Sequence, residues 1–175
     1  MGASSLVGWL GVRGALVVTG AFVPAATLLL ARPLLAIDRA AKAPDPEALA
    51  LLRRLPIFAP LSAPAIERVM AHLVRLELPA GEVLIREGEE GDRFYVIAEG
   101  DVAVSRGGAH LADRHAGDHI GEIALMRDVP RTATVTALTD LRLLALDREP
   151  FLEAVTGYPQ SRERLEAVIE DRLAD

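Results

Sequence analysis

The stretch GEIALMRDVPRTATV, residues 121–135, interrupts a sheet and fixes how its surroundings are read. Before it the apolar residues recur every second position, and Thr132 to Val135 resume that alternation. Between them EIALMR has the composition of one turn or two of helix, and Pro130 prevents that helix from continuing. A barrel strand therefore gives way to a short helix and a Pro-Arg return, and polar chemistry concentrates at this break.

Working outward, period-two runs fall at Val74, Leu76 and Leu78, at Val83 and Ile85, at Phe94 and Val96, and at Val102 and Val104. They are broken by PAG at 79–81, EEGD at 89–92, EGD at 99–101 and GG at 107–108. Two further strands are predicted at 132–138 and 141–147. Short strands at this spacing imply a Greek-key or jelly-roll β-roll. Helical spacing begins at Pro46, and Ser62 is the predicted cap of a second helix carrying Ile66, Val69 and Met70. EPFLEAV (149–155) reads as a short helix, and a final helix places Leu165, Val168, Ile169 and Leu173 on one face. The fold class is mainly β with flanking helices.

Two motifs carry a resemblance. Gly121, Glu122, Ala124 and Leu125, followed by Pro130, Arg131 and Ala133, match the phosphate-binding cassette of the cyclic-nucleotide-binding domain family, of the catabolite-activator and kinase-regulatory-subunit type. Gly91, Asp92, Tyr95, Ile97 and Gly100 match its second signature, Gly-Asp-x-x-Tyr-x-Ile-x-x-Gly. The resemblance implies a sensor rather than an enzyme, with cyclic AMP or cyclic GMP as ligand and no cofactor. It implies ligand-binding roles for Gly121, Glu122, Ile123, Ala124, Arg131 and Thr132, and a base lid formed by Leu165, Val168 and Ile169.

These residue types suit that ligand. A cyclic phosphodiester carries one negative charge, and the first turn of a helix offers unsatisfied N–H groups, here those of Ile123 and Ala124. Gly121 lets the backbone approach the phosphate. Arg131 offers a permanently charged fork, and its loss is expected to lower affinity with little effect on stability. Its bland alternative is an ion pair with Asp128 or Glu122. Ionised Glu122 accepts from the one free ribose hydroxyl; alone it would read as compensation of a helix dipole. Thr132 reaches phosphate or a guanine amino group, or is a β-branched strand former. His110, His115 and His119 lack the spacing of a cupin metal site and are placed on a solvated hairpin and turn, so no metal site and no catalytic residue is assigned.

The net charge of −6 and a single lysine argue against a duplex-DNA surface. No cysteine is present, which excludes disulfides. The first 37 residues carry only Arg13 and Arg32, and the uncharged run 14–31 would reach about 27 Å as a helix, enough to cross a bilayer. Arg32, Arg39 and Lys42 outweigh Arg13, which places the C-terminal side in the cytoplasm. The expected organisation is an apolar segment at 1–37 with a transmembrane helix at 14–31, a linker at 38–45, and the sensor at 46–175. The small residues of the span favour contact with other transmembrane helices, and the segment resembles the last helix of a major-facilitator transporter. Because no helix-turn-helix follows residue 175, a complete transcription regulator is not expected. The alternative function is an interaction or structural β-roll that responds to no nucleotide.

Overall fold

A computed structural model describes residues 45–174; the expected span at 14–31, its orientation and the linker up to residue 44 lie outside the described residues. Among the described residues no helix is long and apolar enough to cross a membrane.

The domain opens with two helices. In α1 (Pro46–Arg54), Asp45 accepts from the amides of Glu47 at 3.1 Å and Ala48 at 3.3 Å, so the last expected linker residue is the helix cap. Ser62 precedes α2 (Ala63–His72) but makes no side-chain cap; its hydroxyl lies 3.1 Å from the Tyr158 hydroxyl instead.

Eight strands follow: β1 (Val74–Leu78), β2 (Val83–Ile85), β3 (Arg93–Glu99), β4 (Val102–Arg106), β5 (Ala109–Arg114), β6 (His119–Ile120), β7 (Thr134–Ala137) and β8 (Leu141–Asp147). They form two antiparallel four-stranded sheets, ordered β1-β8-β3-β6 and β2-β7-β4-β5. Between β6 and β7 lies α3 (Glu122–Arg127); α4 (Arg148–Thr156) and α5 (Pro159–Ala174) close the chain. The jelly-roll expectation holds in its β-sheet-rich form with flanking helices. Neither β5 nor β6 is legible as a strand. β5 lies at a sheet edge and is largely exposed, with no clean alternation, and β6 has only two residues.

Two cores share the first sheet. Tyr95, Ile97, Leu141 and Leu143 face Val102, Val135 and Ala137 of the second sheet. The opposite side presents Phe94, Val96, Leu144 and Leu146 to the helices, against Leu52, Phe58, Phe151 and Leu165. Burial on both faces accounts for the continuous apolar runs FYVI and LLAL, since neither side of these strands meets water. Phe94 joins the layers, stacked on Phe151 at 4.6 Å and edge-on to Phe58 at 5.7 Å.

This topology positions the site. Because β6 belongs to one sheet and β7 to the other, residues 121–133 form the crossover between sheets, along one open end of the roll. Phe94→Ala is expected to cost about 3–5 kcal/mol through loss of a two-sided contact, whereas Val74→Ala, at a side chain 44% exposed, should stay within about 0.5 kcal/mol. Urea unfolding of the two variants measures the difference.

Candidate functional site

Gly121 turns the chain out of β6 with φ of 90°, a left-handed conformation that only glycine adopts freely. A Cβ there would meet Nη1 of Arg131 at 2.7 Å and the Arg93 carbonyl at 2.9 Å. The glycine is therefore required by the packing of Arg131 as well as by its backbone angle. After α3, Asp128 takes φ of 53° and the Val129 amide returns to the Ala124 carbonyl at 3.3 Å, which ends the helix. The main chain of Arg131 is pinned to the preceding turn: its N–H donates to the Glu89 carbonyl at 2.8 Å and its carbonyl accepts from Gly88 at 2.9 Å.

Gly121, Glu122, Ile123, Ala124, Arg131 and Thr132 all line one cleft of about 660 Å³ counted out to its open mouth.

The Arg131 side chain is 5% exposed. Nη1 donates to the Gly121 carbonyl at 2.9 Å, and Nη2 donates to the Arg93 carbonyl at 2.8 Å and to Asp92 Oδ1 at 3.3 Å. Its Cζ sits 5.9 Å from the centre of the Tyr95 ring. The two sequence signatures thus meet physically, because Asp92 and Tyr95 hold the arginine supplied by the cassette. Neither Asp128 nor Glu122 is its partner: Asp128 pairs with Arg148 and Glu122 with Arg172. Among the described residues three of the five guanidinium donors find acceptors, which leaves Nε–H and one Nη1–H.

Glu122 is 1% exposed; Oε1 accepts from Arg172 at 2.7 Å, and Oε2 is buried without a partner among the described residues. Arg172 also donates to the His119 carbonyl at 2.9 Å and lines the cleft. The expected lid lies elsewhere. Leu165 and Ile169 are fully buried in the helical core, Val168 is half-buried, and none of the three lines the cleft. Arg172 stands seven residues beyond Leu165 and three beyond Ile169, hence on their face of α5. Leu173, assigned to that face from its hydrophobicity, is 45% exposed. The heptad offset was the signal that could have found Arg172.

The histidines divide. His110 and His115 are exposed, as expected, but His119 is 6% exposed on β6, its ring centre 5.6 Å from that of Phe94. Burial pushes its pKa down to about 4; the nearby Glu122 carboxylate opposes the shift and Arg172 reinforces it. Among the described residues no group of three His, Asp or Glu side chains is placed to hold a metal ion.

The crossover of the β-roll thus buries Arg131 against Gly91 and Gly121 and lines a cleft with the first turn of α3. Residues 75–158 match the family model of the cyclic nucleotide-binding domain. The match covers 84 of the chain's 175 residues, and this part of the chain is a cyclic nucleotide-binding domain. It is 51% identical over 72 residues to the cGMP-dependent protein kinase egl-4 of Caenorhabditis briggsae, covering 41% of this chain and 10% of the kinase. The cAMP-bound structure of PfPKA-R superposes with a TM-score of 0.65 at 26% identity, over 72% of this chain and 44% of that one. The N-terminal domain of a transcriptional regulator from Streptomyces coelicolor A3(2) is 35% identical with a TM-score of 0.56, over 71% of this chain and 92% of that one. The chain spans from 9% to 57% of the length of the curated relatives it matches.

Two outcomes follow from this geometry. His119 is neutral in the fold, while its unfolded counterpart takes up a proton below its ordinary value of 6.5. Stability should therefore be lost as the pH falls from 6.5 towards 4, by up to about 3 kcal/mol from this group. In His119→Phe that part of the loss should vanish, as read by denaturant unfolding at a series of pH values. Arg131→Ala leaves the Gly121 and Arg93 carbonyls without their donor, so the expectation of unchanged stability is replaced by a cost of about 2–3 kcal/mol. The same series at neutral pH reads it.

Proposed function

We propose that the cleft binds a cyclic 3′,5′-nucleotide and that the domain is a non-catalytic sensor. Arg131 takes the phosphate through its two unused donors, and the amides of Ile123 and Ala124 face the same group beside Gly121. Glu122 accepts the ribose hydroxyl on Oε2. Thr132 stands next to the phosphate and the base.

One observation carries this reading: two residues of the same cleft each keep an unused polar edge in the interior, the Nε/Nη1 edge of Arg131 and Oε2 of Glu122. A buried acceptor without a partner costs about 1–3 kcal/mol, so a ligand hydroxyl that satisfies it recovers that energy on binding. Arg172, on the other carboxylate oxygen, links the ribose contact to α5. Ligand would then act by population shift, favouring the arrangement of cassette and final helix in which phosphate and ribose are both held.

The sensor is further proposed to be attached to the membrane through residues 14–31, with its C-terminal side in the cytoplasm, as the C-terminal part of a transporter or in company with other transmembrane helices. The length of the uncharged run and the basic residues after it support this.

In calorimetric titration the full chain should bind cyclic AMP or cyclic GMP one to one, and Arg131→Ala should weaken binding more than about 100-fold, or about 3 kcal/mol. Equal affinity in the two proteins would remove Arg131 from the phosphate, and no binding by the wild type would favour a β-roll that responds to no nucleotide. Separately, the full chain should sediment with membranes and resist extraction by salt and carbonate. Recovery as a soluble protein without detergent would remove the tether and leave the sensor in place.

A further inference from the structure

With phosphate and ribose assigned to Arg131 and Glu122, the part of the cleft formed by β4, β5 and β7 is left for the base. Its apolar surface comes from Val104, Leu111 and Val135, and its polar groups are the guanidiniums of Arg106 and Arg114 with the hydroxyl of Thr132. Both arginines are half-buried, and neither has a carboxylate partner among the described residues. Arg114 donates to the carbonyl of its neighbour Asp113 at 3.0 Å. Arg106 donates Nε–H to the Thr132 carbonyl at 3.1 Å, which fixes its fork beside the cassette while its Nη donors have no acceptor among the described residues. Among the described residues the only carboxylate lining the cleft is that of Glu122, already engaged by Arg172.

A base in this position meets side-chain donors and, apart from the Thr132 hydroxyl, no side-chain acceptor. The purines differ on this point. Guanine presents two acceptors, N7 and O6, on one edge at a spacing that matches a guanidinium fork; adenine pairs the N7 acceptor with an N6 amino donor. Opposite an arginine the adenine amino group has nothing to donate to, and a fixed cation without an anionic partner gains most from a polarised carbonyl oxygen.

We propose that Arg106 reads the O6/N7 edge of the base and makes the site prefer cyclic GMP to cyclic AMP. The proposal rests on the cleft being a cyclic-nucleotide site. It is separate from any contact of Thr132 with the guanine 2-amino group, because it concerns the other edge of the purine.

The test compares cyclic GMP, cyclic IMP and cyclic AMP on the wild-type full chain. Cyclic IMP keeps O6 and N7 but lacks the 2-amino group. Cyclic GMP and cyclic IMP should bind with similar affinity, both at least about 10-fold tighter than cyclic AMP. If cyclic IMP binds as weakly as cyclic AMP, the preference comes from the 2-amino group and the proposal fails. Equal affinity for all three, or preference for cyclic AMP, also overturns it. Binding of none of the three removes this inference together with the site reading beneath it. Arg106→Gln supplies an amide that pairs with the N6/N7 edge of adenine. It should lower cyclic GMP affinity about 10-fold and leave cyclic AMP unchanged or improved. An equal loss for all three nucleotides would show that Arg106 only holds the Thr132 carbonyl, and would overturn the proposal.

Discussion

A guanidinium with almost no access to water must find acceptors within the protein, and Arg131 finds three of them in two segments: the Gly121 carbonyl before α3, and the Asp92 carboxylate with the Arg93 carbonyl at the start of β3. Much of the local structure follows from that constraint. Gly121 can only be glycine because the arginine occupies the space of a Cβ, and a Cβ on Gly91 would fall 2.6 Å from that of Ala124. Asp92 itself is 72% exposed, so the arginine is stabilised chiefly by carbonyl dipoles and by one carboxylate that remains hydrated. Such an arrangement leaves the cation short of a full counter-charge inside a cleft, which is the electrostatic condition for taking up an anionic ligand.

The sheet that carries Arg93 and Tyr95 is clamped between two cores, and this holds the cassette in register. Phe94 and Tyr95 are neighbours on β3 with opposite tasks: one packs into the helical layer, the other lies beneath Arg131. The same helical layer anchors α5 through Leu165 and Ile169, and α5 in turn delivers Arg172 to Glu122. Glu122 is thus connected to the final helix through one ion pair.

What could be read from the sequence was whatever repeats a local rule. The cassette residues were recognisable as a group through their match to the motif of a known family, and all six line one cleft. β8 was bounded correctly because its apolar run ends in charged Asp147. Long-range geometry was not legible. β5 gains its place by pairing along one edge, His119 is buried because α5 and Phe94 cover it, and Ser62 turns from its own helix to Tyr158. Arg172 was hidden for a related reason. A charged residue on a buried stripe reads as solvent-facing until its partner, fifty residues earlier, is brought beside it.

The most direct test of this account is a crystal structure of the full chain grown with saturating cyclic nucleotide. The account places the exocyclic phosphate oxygens within hydrogen-bond distance of Nε and Nη1 of Arg131, with the ribose hydroxyl on Oε2 of Glu122. A phosphate lodged away from Arg131, or a cleft left empty at saturating nucleotide, would contradict it.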